Sequence, residues 1–365
     1  MFSLGQFIRY GLALALVAMV ATSAWTGTAI AQTSCTDTGY TYNASCQGNQ
    51  NSSGTTVTSG ALVATAAATT VGLVSSRVSQ FRQGSGSARA GIQSQSLFAA
   101  GNGTGASAGE NMDTRMGVWG NIAYLRSEGD KTGANFESDL MSGMVGFDYR
   151  LGSIETPTFI GIGLGYETAD ITTTFNRGNI DTSGYTISPY VSFGLTKVFS
   201  IDVVGGYTWL SYDTDRKDPL TSTTIRGAFD AERMFGAADL VGGWSMNKWN
   251  LGGRVGMSYV TEDQDAYRES NGVARAKSDI NIGAANTGVR LGYSFDKIEP
   301  YLGGTYSYNV SQSGEGTYDG RNTLGGSLGL NMAVMPNFSV NVEGRTAQRE
   351  DISSYGGSAT VRLAF

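Results

Sequence analysis

From Met116 to Phe365 apolar residues recur at every second position, and this alternation constrains the fold more than any other feature of the chain. Leu302, Gly304, Tyr306, Tyr308 and Val310 alternate with Gly303, Thr305, Ser307 and Asn309. Val289, Leu291, Tyr293 and Phe295 alternate in the same way with Gly288, Arg290, Gly292 and Ser294. Tyr185, Ile187, Val191, Phe193 and Leu195 share one parity against Thr186, Ser188, Ser192 and Gly194. A period of two places successive side chains on opposite faces of a strand, one wet and one greasy. Helical periodicity is almost absent over these 250 residues (116–365), so the region reads as all-β.

Twelve segments show the pattern, near 116–127, 138–151, 157–169, 181–196, 198–213, 226–245, 249–262, 279–295, 298–312, 322–335, 337–349 and 353–365. Their connections alternate in length. Short turns fall at Gly152–Thr156, Thr196–Lys197, Met246–Lys248, Asp296–Lys297 and Met335–Asn337. Long loops fall near 128–137, 170–180, 214–225, 263–278, 313–321 and 348–352, and several of them carry acidic residues, as in Glu128-Gly129-Asp130 and Asp263-Gln264-Asp265. Long strands with alternately short and long connections predict a 12-stranded antiparallel transmembrane β-barrel.

The charges within the strands test that reading. Asp148, Arg150, Asp202, Arg233, Asp239, Arg254, Arg290, Glu343, Arg345 and Arg362 all fall on the polar parity of their strands, which is the lumen side of a membrane barrel. The apolar parity carries aromatics at both ends, as interfacial girdles do. Phe193, Trp244, Trp249, Phe295, Phe338 and Phe365 mark the short-turn end; Tyr166, Tyr185, Trp209, Tyr259, Tyr306 and Tyr355 mark the long-loop end. The chain stops on a strand in which Tyr355, Ala359, Val361, Leu363 and Phe365 share one parity. Such a terminal strand is the expected signal to the barrel-assembly machinery, with Phe365, Leu363 and Val361 as its recognition face. The lumen charges support either an ion-selective pore or an ion-pair network that holds the interior shut.

Upstream, residues 1–31 read as a signal peptide, with Arg9 before an apolar run from Gly11 to Val20 and a small-residue cleavage site at Ala29-Ile30-Ala31. Residues 32–54 are polar. Export to an oxidising compartment favours a Cys35–Cys46 disulfide, whose 12-residue loop would stabilise by about 3 kcal/mol. Residues 55–83 read as an α-helix, rich in Ala with Val71, Val74, Val78 and Phe81 at helical spacing. That helix either occupies the pore or lies outside it. Residues 84–115 are a Gly/Ser/Ala-rich linker.

Composition removes several functions. The chain has no His, which excludes Ser-His-Asp and Cys-His catalysis and His-ligated metals. Two Cys cannot form a four-Cys zinc site. A net charge of −6 lacks the basic footprint of a nucleic-acid binder. No enzyme activity, cofactor, metal or nucleic-acid partner is expected.

The stretch 117–151, the run Gly184–Tyr190, the ending Val361–Phe365 and the helical segment Leu73–Arg82 together resemble the β-domain of autotransporters, the type V secretion proteins. The resemblance covers about 72–365. It implies a twelve-stranded barrel in the Gram-negative outer membrane, threaded by an N-terminal helix, with an upstream passenger displayed outside. This chain departs from the family in passenger size: only 84 residues (32–115) lie between the expected cleavage site and the barrel, and they hold no β-helix repeat. Residues 55–83 contain no Asn, so the Asn-Asn self-cleavage of some members is not expected. The expected function is translocation or display of a very short segment by a monomeric barrel in contact with outer-membrane lipids and lipopolysaccharide. The alternative is a structural protein or small passive porin.

Overall fold

The fold follows from the alternation. Strands that present an apolar face to lipid and a polar face inward must satisfy every backbone N–H and C=O between themselves, and closure does this by removing all edges. In the computed structural model the described residues are Val63, Ala66 and 115–365 apart from 132, 153–156, 315–319 and 336. The expected signal peptide, the Cys35–Cys46 pair, and all of 55–115 except Val63, Ala66 and Arg115 lie outside the described residues.

The strands are β1 (Met116–Gly129), β2 (Phe136–Leu151), β3 (Thr158–Thr173), β4 (Gly178–Gly194), β5 (Phe199–Lys217), β6 (Thr224–Met246), β7 (Trp249–Gln264), β8 (Tyr267–Arg268), β9 (Ala274–Arg275), β10 (Ser278–Tyr293), β11 (Ile298–Ser313), β12 (Asn322–Met335), β13 (Phe338–Arg349) and β14 (Ile352–Ala364). Twelve of them close one antiparallel barrel, each beside its chain neighbour, with β7 next to β10. The two-residue strands β8 and β9 form a separate hairpin in the β7–β10 connection. The seam is fully registered: β1 pairs with β14 from Gly117↔Ala364 to Gly129↔Ile352. Phe365 and Met116 exchange backbone hydrogen bonds at its base, 3.0 and 3.1 Å.

The segments expected from the sequence match these twelve strands within a few residues. The differences lie at the long-loop end. β3 and β4 run on to a turn at 174–177, and β13 and β14 meet across Glu350-Asp351, where longer loops were expected. Polar residues beyond the membrane break the hydrophobic alternation but not the hydrogen-bond ladder. Arg177 and Glu350 take φ of 50° and 40° to close these turns.

The outward face is apolar, with Val145, Tyr185 and Leu324 more than three-fifths exposed. Tyr166, Tyr185 and Trp209 sit directly opposite one another on β3, β4 and β5 as part of the long-loop girdle. Phe199 and Trp244 meet edge-on at 5.7 Å at the other end, as do Trp249 and Tyr293 at 4.8 Å.

Inside, four aromatics lie flat over glycines directly opposite on the next strand: Trp119 on Gly146, Tyr190 on Gly161, Phe235 on Gly206 and Tyr301 on Gly329. A Cβ at these glycines would stand 2.4, 2.2, 2.1 and 2.1 Å from the ring atoms. Only glycine lets a large ring lie against the wall there.

Candidate functional site in the barrel lumen

The strand parity that turns Leu and Tyr to lipid turns the intervening charges into the lumen, where burial demands partners. The inner wall carries three side-chain networks. In the first, Arg233 on β6 donates to Glu167 on β3 at 2.6 Å and to Glu262 on β7 at 2.8 Å. Tyr212 and Gln264 also donate to Glu262, at 2.8 and 2.9 Å.

The second network lies on the walls either side of β5. Arg254 donates to Asp239 at 3.3 Å, and Ser192 to Asp202 at 2.6 Å. Trp119 donates to the Tyr190 hydroxyl at 2.9 Å, which in turn donates to Asp148 at 3.1 Å. The third network is near the short-turn end. Arg290 donates to Glu299 at 2.8 Å and its guanidinium lies 3.8 Å over the Tyr301 ring. Asn250 also donates to Glu299, at 2.6 Å, and Tyr301 donates to Glu343 at 2.7 Å.

Of the residues singled out from sequence, Asp148, Asp202, Arg233, Asp239, Arg254, Arg290, Glu343 and Arg362 are buried on the inner wall. Arg150 and Arg345 are half-buried on the same parity. Arg345 shares its face with Glu343, and its three guanidinium nitrogens have no hydrogen-bond partner among the described residues. Phe365, Leu363 and Val361 all point outward and are exposed. Sequence reasoning missed Glu167, Glu299 and Glu262, although each lies on the inner parity of its strand. Parity applied at every position would have found them.

The inner wall is not uniformly polar, contrary to the simple wet-face expectation. Trp119, Ala123, Met144, Tyr190, Val204, Phe235, Val260, Ile280 and Ile282 form one apolar cluster, and Val63 belongs to it. Ala66 packs with Leu125 and Leu140. Val63 and Ala66 are both helical, buried and one helical turn apart. Inner side chains that touch another part of the protein instead of water are apolar for the same reason as any core residue.

The long-loop mouth has its own apolar lining, which includes Phe136, Ile171, Ile180, Leu210, Tyr212, Phe229 and Ile352. Here the β8–β9 hairpin meets the inner wall. Tyr267 stacks on Phe229 at 4.8 Å, and Phe229 stacks on Tyr212 at 4.7 Å. Glu269 is buried and accepts from Arg216 on β5, at 2.8 and 3.3 Å, and from Arg275 at 3.0 Å.

On the outside of the same end, Asp139, Asp170, Asp181 and Asp213 stand directly opposite one another on β2 to β5, with Arg126 of β1 completing the row. Arg126 pairs with Asp139 at 3.3 Å and with Glu137 at 2.5 Å. Burial, then repulsion by Asp170 and Asp213, raises the Asp181 carboxyl above the usual carboxylate range. Among the described residues no group of three or more Asp, Glu, Cys or His is arranged to hold a metal ion.

The autotransporter β-domain family model matches residues 118–345. Solved autotransporter barrels share the fold. The translocator domain of the autotransporter NalP from Neisseria meningitidis superposes with a TM-score of 0.61 at 13% identity, covering 70% of this chain and 90% of that one. The β-domain of the Bordetella autotransporter BrkA gives 0.59 at 14% identity, covering 69% and 100%. The transport unit of the autotransporter AIDA-I from Escherichia coli gives 0.51 at 17%, covering 70% and 92%. No curated protein matches the chain by sequence.

Proposed function

The chain belongs to the autotransporter β-domain family, whose barrel places it in the outer membrane, and from that premise we propose that it carries or displays its own short N-terminal segment. The observation that carries this reading is the position of Val63 and Ala66, buried against the apolar inner wall of β1, β2 and their neighbours. An apolar patch inside a barrel has no use in a water-filled pore. It is the expected surface for an α-helix with an apolar stripe. On this reading the segment 55–83 lies in the lumen, and the polar networks brace the wall around it. The strand ending at Phe365 presents Val361, Leu363 and Phe365 to the barrel-assembly machinery, and the girdles contact lipid and lipopolysaccharide.

Conductance tests the proposal. Full-length protein in planar bilayers should pass little current, whereas a chain beginning at Met116 should pass more. Removal of the segment should also lower thermal stability, because Val63 and Ala66 leave their apolar contacts unfilled. Equal currents from the two folded proteins would refute the occupied lumen and favour a passive porin.

A further inference from the structure

The β8–β9 hairpin does not belong to the barrel sheet, and its attachment differs from that of a wall. Two backbone bonds hold it to the upper edge of β6, Asp265 N–H to the Asp230 carbonyl at 3.0 Å and Ser270 N–H to the Arg226 carbonyl at 2.7 Å. Ser270 also accepts on its Oγ from the Arg226 N–H at 2.9 Å, and the other anchors are side chains that reach over the inner face. Tyr267 extends the Tyr212–Phe229 stack, and Glu269 is held between Arg216 and Arg275. Arg216 and Phe229 are both buried on the inner parity of their strands, so the hairpin leans into the mouth and not outward from it. Gly227 makes room for it: a Cβ there would stand 2.5 Å from the Tyr267 ring. Its tip turns at Gly272, with φ of 89°, where a Cβ would meet nothing.

We propose that the β8–β9 hairpin is a lid on the outer mouth of the lumen, latched shut by the Arg216–Glu269–Arg275 ion cluster and the Tyr212–Phe229–Tyr267 stack. The proposal rests on the reading that the long-loop end faces the outside of the cell. The latch is strong but local. Loss of Glu269 would leave the buried Arg216 guanidinium without its carboxylate, and loss of the Tyr267 ring would empty the space over Gly227. Neither change touches a ladder bond of the twelve strands. Once Ser270 releases Arg226, the hairpin can swing on its connections to Gln264 and Ser278 while the twelve-strand ladder stays closed. Such a lid would admit or release an unfolded segment at the outer mouth and exclude external solutes between events.

The test is thiol access from outside. In the full-length chain with Cys35→Ser and Cys46→Ser, Ala231→Cys places a thiol on the inner wall, two residues below Phe229. Ser222→Cys, in the exposed β5–β6 turn, is the orientation control. Intact cells are treated with a membrane-impermeant maleimide. The thiol at position 231 should react slowly by itself. It should react at least about tenfold faster when combined with Tyr267→Ala or with Glu269→Gln, the effect expected when a closed state loses an anchor. Equal rates in all three backgrounds, with position 222 reactive, would overturn the lid alone. An unreactive position 222 would overturn the outward orientation and the lid with it. If both variants lose the folded, heat-modifiable form, the hairpin is part of the wall and the lid is likewise overturned.

Discussion

Gly161→Ala is the substitution whose cost the structure defines best. Gly161 and Tyr190 face each other across β3 and β4, and the Tyr190 ring covers the glycine. An added methyl would stand 2.2 Å from Cζ and 2.4 Å from the hydroxyl of Tyr190, well inside contact distance. The ring is a rigid plate, so it must leave the wall as a unit. Its hydroxyl then loses the bond from Trp119 and the bond to Asp148, 2.9 and 3.1 Å. The first is worth about 1 kcal/mol and the second, to a charged partner, about 1.5–3 kcal/mol. Displacement of Tyr190 from its packed cluster adds a cost of overpacking of about 1–3 kcal/mol. The total is about 3.5–7 kcal/mol, or a fall of about 7–28 °C in thermal midpoint for a domain of this size. Gly344→Ala is the matched control: it also lies mid-strand, and a Cβ there meets nothing within 4 Å. It should be neutral, or stabilising by about 0.4–1 kcal/mol through the unfolded chain. Both midpoints can be read in detergent from the heat-induced shift between folded and unfolded bands on gels. Equal midpoints for the two variants would refute the argument that ring-over-glycine contacts hold the inner wall.

Arg233→Gln removes the cation shared by Glu167 and Glu262 and should cost about 3–5 kcal/mol, because two carboxylates are left buried without it. Arg126→Gln on the outer wall should leave the same thermal midpoint nearly unchanged, since its partners are solvated. Asp181→Asn tests the outer acidic row above the girdle. The raised carboxyl of Asp181 means that the folded state binds its proton more tightly than the unfolded state does. Stability from this group therefore rises as pH falls from the raised folded value toward the unfolded one, and above that window its ionised form is unfavourable. The variant should melt higher at neutral pH, and its advantage over the unsubstituted chain should vanish in acid; a pH-independent difference would contradict this. Deletion of Phe365 should slow insertion and accumulate precursor in the periplasm, measured by cell fractionation, and unchanged outer-membrane levels would count against the terminal signal.

The barrel was legible because lipid enforces one rule on every strand. Tyr306, Tyr308 and Val310 could face only lipid, and the parity of Arg290 or Arg254 followed from that of their neighbours. Turn positions were legible for a related reason. Asn247 and Asp296 take φ of 57° and 48° in the tight connections, and both residue types tolerate that conformation. Partner choice was not legible. Glu167 and Arg233 lie on strands three apart, and no local pattern relates them; only the curvature of a closed wall brings their side chains to 2.6 Å. The hairpin was hidden more deeply. Residues 263–278 have the acidic, Gly-containing composition of a solvated loop, and nothing in that stretch alone marks Tyr267 and Glu269 as inward-facing.

The glycines connect these two levels. A chain with 52 of them could have used them for turns or flexible linkers, yet those at 146, 161, 206 and 329 sit in mid-strand, where glycine by itself weakens a sheet. Each is directly across from an inward aromatic, so the pair acts as one unit: the ring supplies buried area and the glycine supplies the hollow for it. A wall built this way can be apolar inside without filling its own lumen. The inner wall shaped in that manner includes Met144, Val204, Phe235 and Val260, the cluster to which Val63 belongs. A passive pore would gain nothing from so much inward apolar surface, because water wets it poorly. On the proposed reading that surface receives the α-helix of the N-terminal segment, and rings flat against the wall leave the helix room.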